Sequence, residues 1–424
     1  MEKTGTLWVD LTDIIGWQGN FTGIQRVVYN VASRYAADPS VRFFAMRSSV
    51  GKVTFDPVSF DLIRRVQARA DQPVPQTASV PQLAHARALA RRVAARVPYA
   101  RSVARRLRER SVTETPVRAV AGPFAAGDTV LVLGGNWSGT DYMPAIQTLR
   151  RRAGFRFYHV VYDLVPAFFT GYVPPEVVGL FTGYLERVCR TADGLIAISE
   201  STKRDCLKFM KDHGLKEIPV GVMRLGDESA KAAAGAKPSS PNPALAPGKF
   251  ILCVSTVEIR KNHTLLYYMA QLARERGVKL PPIVLVGKLG WLAGDIQFIL
   301  HNDPLAKGQF VIQRAVTDGQ LEWLYRNCSF TIYPSFYEGW GLPIAESLVH
   351  GKPCLSSNTS SMPEVGGDLV DYFSPYDPAG CLDQVVRYLD PELLSRKAAA
   401  IAAGYHARSW DDAYADVQRA IGRE

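Results

Sequence analysis

The stretch YPSFYEGWGLPIAESLVHG, residues 333–351, decides how the fold is read. It leaves an apolar strand at Phe330–Tyr333, passes a glycine-bearing turn and enters a helix. Pro343 suits the first helical position and Gly351 the residue just past the last turn. Two carboxylates frame the segment, Glu338 in the loop and Glu346 in the first turn of the helix, with seven residues between them. At the carboxyl edge of a parallel sheet both can face the crevice in which open α/β folds bind ligands. Carboxylates accept hydrogen bonds from vicinal hydroxyls, so ribose or a hexose is a natural partner. The spacing alone carries little weight. The aromatic residues, Gly339, Gly341 and the strand-turn-helix setting make it specific.

PSFYEGWGLPIAE closely resembles the E-x7-E signature of retaining glycosyltransferases of the GT-B fold, in particular the family 4 group, with its PS-x-x-E-G-x-G-L-P context. The resemblance implies two Rossmann-like, doubly wound α/β domains facing a cleft, with a C-terminal helix crossing back to the first domain. It is strong at 251–262 and 329–366, moderate at 21–30 and 160–200, and absent over 50–120.

Bulk properties agree with this class. A chain of 424 residues accommodates two domains of ordinary size. The 47% hydrophobic and 21% charged content is that of a soluble globular protein. No apolar run reaches the roughly 18 residues of a membrane span. The opening MEKTGTLWVDLTDI has neither the cationic nor the apolar region of a secretory signal, so a cytoplasmic protein is expected. Six cysteines are scattered without metal-like pairing and read as reduced core residues.

The net charge of +10 suggests nucleic acid until it is located. Nine arginines and one glutamate lie between His85 and Arg110, a balance of +8 that leaves the rest of the chain near +2. Leu89, Val93 and Val97 recur at intervals of four, as do Val103 and Leu107, and arginines fill the other sides. This basic amphipathic pattern reads as an anionic membrane-surface element over about 85–110, with an ordinary surface helix or a mobile insertion without a partner as the alternative. Each arginine near such a surface contributes on the order of 1 kcal/mol. No nucleic-acid partner is expected.

Strand and helix patterns alternate along both halves, which argues for parallel sheets. The expected division is an acceptor domain over 1–228 with a basic insertion at about 81–112, then an Ala-, Pro- and Ser-rich linker at 229–248. A donor domain at 249–408 and a serine-capped helix at 409–424 complete it.

Site residues follow from the residues first and the resemblance second. Arg260 and Lys261 follow a strand and precede a helix for which Asn262 is a plausible cap; charges and backbone N–H groups there suit a diphosphate. The family likeness of E-x-R-K-N implies the same. It also implies that Glu346 binds the ribose hydroxyls and Glu338 those of the donor sugar, with Gly341 and Leu342 meeting diphosphate or sugar. The loop 314–317 would meet the base through main-chain groups. FTGIQRVVYN implies Gly23 near the donor and Arg26 as a basic site residue, which reads equally as a solvated helix charge. VVYDLVP places Asp163 at a strand end, to orient the acceptor hydroxyl or to cap a helix. Tyr162 stands where the family usually has histidine. His159, a lone histidine in an apolar strand, reads as core.

The resemblance implies front-face displacement with retention, no metal and no cofactor beyond a nucleotide-sugar, GDP-mannose favoured and a UDP-sugar the alternative. The acceptor would be a polyprenyl-linked or oligosaccharide glycan of surface polysaccharide or lipopolysaccharide synthesis, handled by a peripheral protein at the cytoplasmic face of the inner membrane. Competing readings are a sugar phosphorylase, a nucleotide-sugar 2-epimerase and an inactive sugar-binding relative. A non-catalytic membrane or nucleic-acid binder using the arginine helix is the alternative from another class.

Overall fold

A computed structural model describes residues 5–15, 17, 21, 23–49, 51–70, 119–227, 238–314 and 316–423. Short apolar runs form two sheets. The first contains β1 (Leu7–Asp10), β2 (Val41–Ser49), β3 (Lys52–Val58), β4 (Ala119–Ala121), β5 (Thr129–Val132), β6 (Arg156–Val161), β7 (Gly194–Ala197) and β8 (Val220–Val222). Their order is β4-β3-β2-β1-β5-β6-β7-β8. The second contains β9 (Ile251–Val254), β10 (Ile283–Val286), β11 (Phe310–Gln313), β12 (Phe330–Tyr333), β13 (Cys354–Ser357) and β14 (Asp371–Phe373), in the order β11-β10-β9-β12-β13-β14. All pairings in the second sheet are parallel. Parallel strands covered by helices on both faces are buried along their whole length, which is why β1, β5, β7, β10, β12 and β13 carry no exposed residue.

One departure from a purely parallel first sheet escapes the sequence reading. β3 runs antiparallel to β2 through a hairpin at Gly51, whose φ of 73° a glycine adopts without strain. Pro57 sits inside β3 and hides its strand character, since proline removes a ladder donor. The helix Phe60–Ala70 follows.

The strand order fixes where ligands can bind. In each sheet the chain winds outward in both directions from a central pair, β1/β5 in the first and β9/β12 in the second. Crevices open at the carboxyl ends of such pairs. The segments leaving those four strand ends are the ones that the sequence singled out or that neighbour them: 11–26, 133–138, 255–262 and 334–342.

The helix Trp410–Ile421 returns to the first domain, as expected. Ser409 caps it by accepting from Asp412 N–H, while the Asp412 side chain accepts from Ser409 N–H. Trp410, Ala413, Val417 and Ile421 enter one core cluster with Val27, Val31, Met223 and Leu225. A Cβ on Gly226 would lie 2.7 Å from the Trp410 ring. The second half of the expected linker is packed rather than free: Leu245 is buried beside Phe250, and Gly248 N–H donates to Asn327 O at 2.7 Å. The basic insertion lies outside the described residues. All six cysteines are buried and free.

Candidate functional site

β12 ends at Tyr333, and its loop returns to the turn after β9. Arg260 and Lys261 lie in the short 3-10 turn Ile259–Lys261, and both converge on Glu338. Arg260 Nη1 donates to Glu338 Oε2 at 2.6 Å and to Tyr337 O at 2.7 Å, and its Nη2 donates to Glu258 Oε1 at 2.9 Å. Lys261 Nζ meets Glu338 Oε1 at 2.5 Å and Tyr333 Oη at 3.0 Å, and the Tyr333 hydroxyl itself donates to Glu338 Oε1 at 2.9 Å. The loop is pinned from below: Glu338 N–H donates to Ser360 Oγ, and Ser361 Oγ donates to Glu338 O. This is a buried charge cluster with every charged group partnered.

Its electrostatics follow from that geometry. Burial pushes the Glu338 carboxyl up, but the Arg260 guanidinium and then the Lys261 ammonium reverse this and hold it down at about 2. Burial and then the charge of Arg260 pull Lys261 below the ordinary lysine value, against the opposing pull of Glu338. Two cations are thus held side by side at the carboxyl edge of the sheet by one carboxylate.

Glu346 is held from both sides. Its Oε1 accepts from Arg26 Nη1 at 2.9 Å and its Oε2 from Tyr325 Oη at 2.7 Å. Arg26 belongs to the helix Ile24–Tyr35 of the first domain, so this ion pair crosses the cleft, and Arg26 is not the solvated helix charge that its sequence allowed. The helix Leu342–Val349 starts one residue earlier than expected, which puts Glu346 at its fifth position, at the beginning of the second turn. Gly341 precedes it with φ 126°, a backbone state that requires glycine. Leu342 packs at the edge of the first-domain cluster that also takes in Trp340. Gly23 stands just before the helix Ile24–Tyr35 with φ 53°.

Asn262 does not cap its helix. It adopts a left-handed conformation with φ 56°, and its Nδ2 donates to Pro334 O and Pro375 O, bracing the two loops that flank the site. Thr317 caps the helix Asp318–Asn327, with Gln320 closing a capping box, and Arg314 meets His301 Nε2 at 2.8 Å.

Across the cleft, Asp163 is half-buried at the end of β6, and its Oδ1 accepts from Val165 N–H at 3.1 Å. Burial raises its carboxyl above the ordinary range, with Arg260 opposing. Tyr162 sends its hydroxyl to Leu133 O at 2.7 Å, tying the β6 end to the β5 end within the first domain. His159 is a core residue, with Nδ1 against Val160 O and Nε2 against Tyr184 Oη; burial brings its pKa down to about 4, so it is neutral.

Several contacts that join the domains were invisible in sequence. A Cβ on Gly339 would lie 1.9 Å from Tyr162 O, so only glycine permits the two backbones to meet. The Tyr337 hydroxyl donates to Asp205, whose carboxyl burial pushes up to about 6. Glu364 accepts from Glu200 N–H at 2.9 Å, at the start of the helix Glu200–Asp212. A glutamate in a PEVGG string gives no such signal, because its partners lie about 160 residues away. Between the domains lies a cavity of about 280 Å³ with Trp137, Tyr172, Phe181, Tyr184 and Trp291 in its wall, along with the charged residues Asp163, Glu258 and Arg260.

Residues 240–403, from the linker through the helix carrying Glu346 and beyond, match the profile of the family described as Glycosyl transferases group 1. Over this stretch the chain is similar to that family. The Arg260–Lys261–Glu338 cluster lies wholly within it. The O-antigen chain mannosyltransferase B of Escherichia coli is 28% identical over 197 residues, 46% of this chain and 51% of that one. The serotype-specific mannosyltransferase WbdA of Escherichia coli is 28% identical over 225 residues, 52% of this chain and 27% of that one. The chain therefore spans about half or less of the length of these curated relatives. Among solved structures, the sucrose-phosphate synthase of Thermosynechococcus elongatus superposes with a TM-score of 0.60 at 15% identity, covering 99% of this chain and 98% of that one. Anabaena HepE, solved in complex with UDP and glucose, gives 0.59 at 14% identity over 99% and 100%. At these identities the likeness is one of fold. The two domains together have the GT-B fold.

Proposed function

We propose that this chain is a glycosyltransferase that moves a hexose from a nucleotide-sugar to a glycan acceptor with retention of configuration. The donor of choice is GDP-mannose, as the names of the relatives suggest, and the product belongs to surface polysaccharide or lipopolysaccharide assembly. The observation that carries this reading is the convergence of Arg260 and Lys261 on Glu338, facing Asp163 across the cleft.

The chemistry follows from the arrangement. A diphosphate arriving at the turn 259–261 meets two cations already oriented, so little reorganisation is needed as negative charge grows on the departing phosphate. No metal or cofactor is invoked for that charge. Glu338 and Glu346 accept hydrogen bonds from the donor's sugar and ribose hydroxyls, Glu346 exchanging its contacts with Arg26 and Tyr325 for the ribose. Gly23, Gly341 and Leu342 bring backbone close to the donor. Asp163 accepts a hydrogen bond from the acceptor hydroxyl, whose oxygen bonds to the anomeric carbon as the bond from that carbon to the phosphate oxygen breaks and whose proton passes to the leaving phosphate. Arg26 and Tyr162 act by position, the first on Glu346 and the second on the β6 end. The acceptor is polyprenyl-linked or a free oligosaccharide, and the basic segment at 85–110 holds the protein to the cytoplasmic face of an anionic membrane.

A panel of GDP-, UDP-, ADP- and dTDP-sugars tests the reading by calorimetry on the wild type and Glu346→Ala. One nucleotide class binds the wild type, and its affinity falls at least tenfold in the variant. Failure of every nucleotide-sugar to bind would overturn the proposal.

Gly339→Ala follows from the same reading. The added methyl group collides with Tyr162 O and holds the domains apart, so turnover falls about 100-fold, the scale on which a displacement of about 1 Å acts. Initial rates and circular dichroism check this together; a folded variant with a wild-type rate would mean that this closed contact is dispensable.

A further inference from the structure

The interdomain cavity is not accounted for by the donor site. Its volume of about 280 Å³ lies just below the roughly 300–1,000 Å³ of sites for drug-sized ligands, which suits one sugar ring and not a chain of them. Its wall is aromatic. Trp137 follows β5 in the first domain and Trp291 follows β10 in the second, with ring centroids 6.5 Å apart and planes at 74°. A flat ligand lying on one indole therefore meets the other edge-on. Phe181 stands 6.2 Å from Trp137. The wall also carries three charged groups, Asp163, Glu258 and the Arg260 guanidinium, the last paired with Glu258 and shared with the Glu338 cluster.

The turns that carry the two tryptophans are held in place. The turn bearing Trp137 hangs from Asp10, a fully buried carboxylate that accepts from Tyr142 Oη at 2.7 Å, from Thr12 N–H at 2.9 Å and from Asn136 Nδ2. The turn bearing Trp291 is tied to the strand-end segment of Glu258: Gly290 N–H donates to Val257 O, and Ile259 N–H donates to Trp291 O. Gly290 leaves no room for a side chain, since a Cβ there would lie 2.7 Å from Glu258 Oε2. Trp291 nevertheless remains 41% exposed. An indole this large, carried on a tied turn and half open beside a cavity, is available to a ligand.

We propose that this cavity is a stacking subsite for one pyranose ring of the acceptor, which rests on the transferase reading above. A pyranose offers a face of C–H groups that packs on an indole, and a rim of hydroxyls that donate to carboxylates. Trp291 supplies the apolar surface from the second domain, and Trp137 closes the end from the first. Asp163 and Glu258 take the hydroxyls. Because the two indoles belong to different domains, the subsite is complete only when the cleft is closed. The Arg260 guanidinium in its wall places the bound ring beside the donor diphosphate.

Saturation-transfer NMR on the full chain tests this with methyl α-mannoside, methyl α-glucoside and methyl α-galactoside as probes, with GDP or UDP present. Transfer is expected to the C–H protons of one ring face of at least one probe. Trp291→Ala weakens that probe at least tenfold, Trp291→Phe restores most of the binding, and nucleotide affinity stays within twofold in both. Trp291 is exposed, so its variants retain the fold, which circular dichroism verifies. Unaltered probe binding in Trp291→Ala, or no transfer to any probe in a protein that binds nucleotide, overturns the subsite alone. A parallel loss of nucleotide affinity would assign the cavity to the donor instead and overturn it too. If no nucleotide binds, the transferase reading itself fails.

Discussion

Arg260→Ala lowers the transfer rate at saturating donor by about 10²–10³-fold, the usual cost of removing one preorganised donor from a developing negative charge. The size of the effect comes from how the guanidinium is held. Its two terminal nitrogens reach Glu338, Tyr337 O and Glu258 at 2.6–2.9 Å before any ligand arrives, so its position costs nothing to establish during the reaction. Arg260→Lys does not rescue, because a single ammonium cannot satisfy three acceptors arranged around a planar fork. Nucleotide affinity, measured separately, changes much less than the rate. A rate within tenfold of wild type would remove Arg260 from its role opposite the leaving phosphate.

Glu338→Ala destabilises the folded chain by about 3–5 kcal/mol at neutral pH, the range for breaking a buried ion cluster by deleting one partner. The variant leaves Arg260 and Lys261 facing each other with the shared anion gone. The pH dependence carries a sign that can be checked. In the wild type the carboxyl is held at about 2, below its ordinary 4.5, so its stabilising contribution is fully present above about pH 4.5 and is lost as pH falls toward 2. The difference between wild type and variant should therefore be largest near neutrality and shrink between pH 4.5 and 2. Adding Lys261→Met to the variant recovers part of the loss by removing one of the two stranded cations. Urea unfolding at pH 7 and pH 3 measures both effects. A deficit that is the same at the two pH values would contradict the assignment of the charge cluster as its source.

Much of the frame was legible because the signals are local. Phe330–Tyr333 is found where its apolar run puts it, and Ser409 announces the helix that crosses back. Glu338, Arg260 and Lys261 were legible as types in a pattern, and the structure brings all three together. Their mutual contact was not legible, since the pattern places each beside a ligand and says nothing about which charge satisfies which when none is bound. Asn262 shows the opposite failure. Its position before a helix suggests a cap, yet two carbonyls from distant loops claim its amide. β3 was missed because Pro57 and Asp56 mask an alternation that pairing with β2 supports. Trp137, Trp291, Glu364 and Asp205 gave no local signal at all. Their significance lies in partners or neighbours contributed by the other domain, and a single sequence carries no mark of them.

The returning helix Trp410–Ile421 has a consequence for how the chain is made. The groove that it fills is formed by residues up to Leu225, yet the helix emerges from the ribosome about 180 residues later. At a synthesis rate of about 5–20 residues per second, that delay is roughly 10–40 s. Throughout it the nascent first domain presents Val27, Val31, Met223 and Leu225 without their cover, which makes this face a natural place for a chaperone to hold. Completion of the first domain is thus timed by translation of the second.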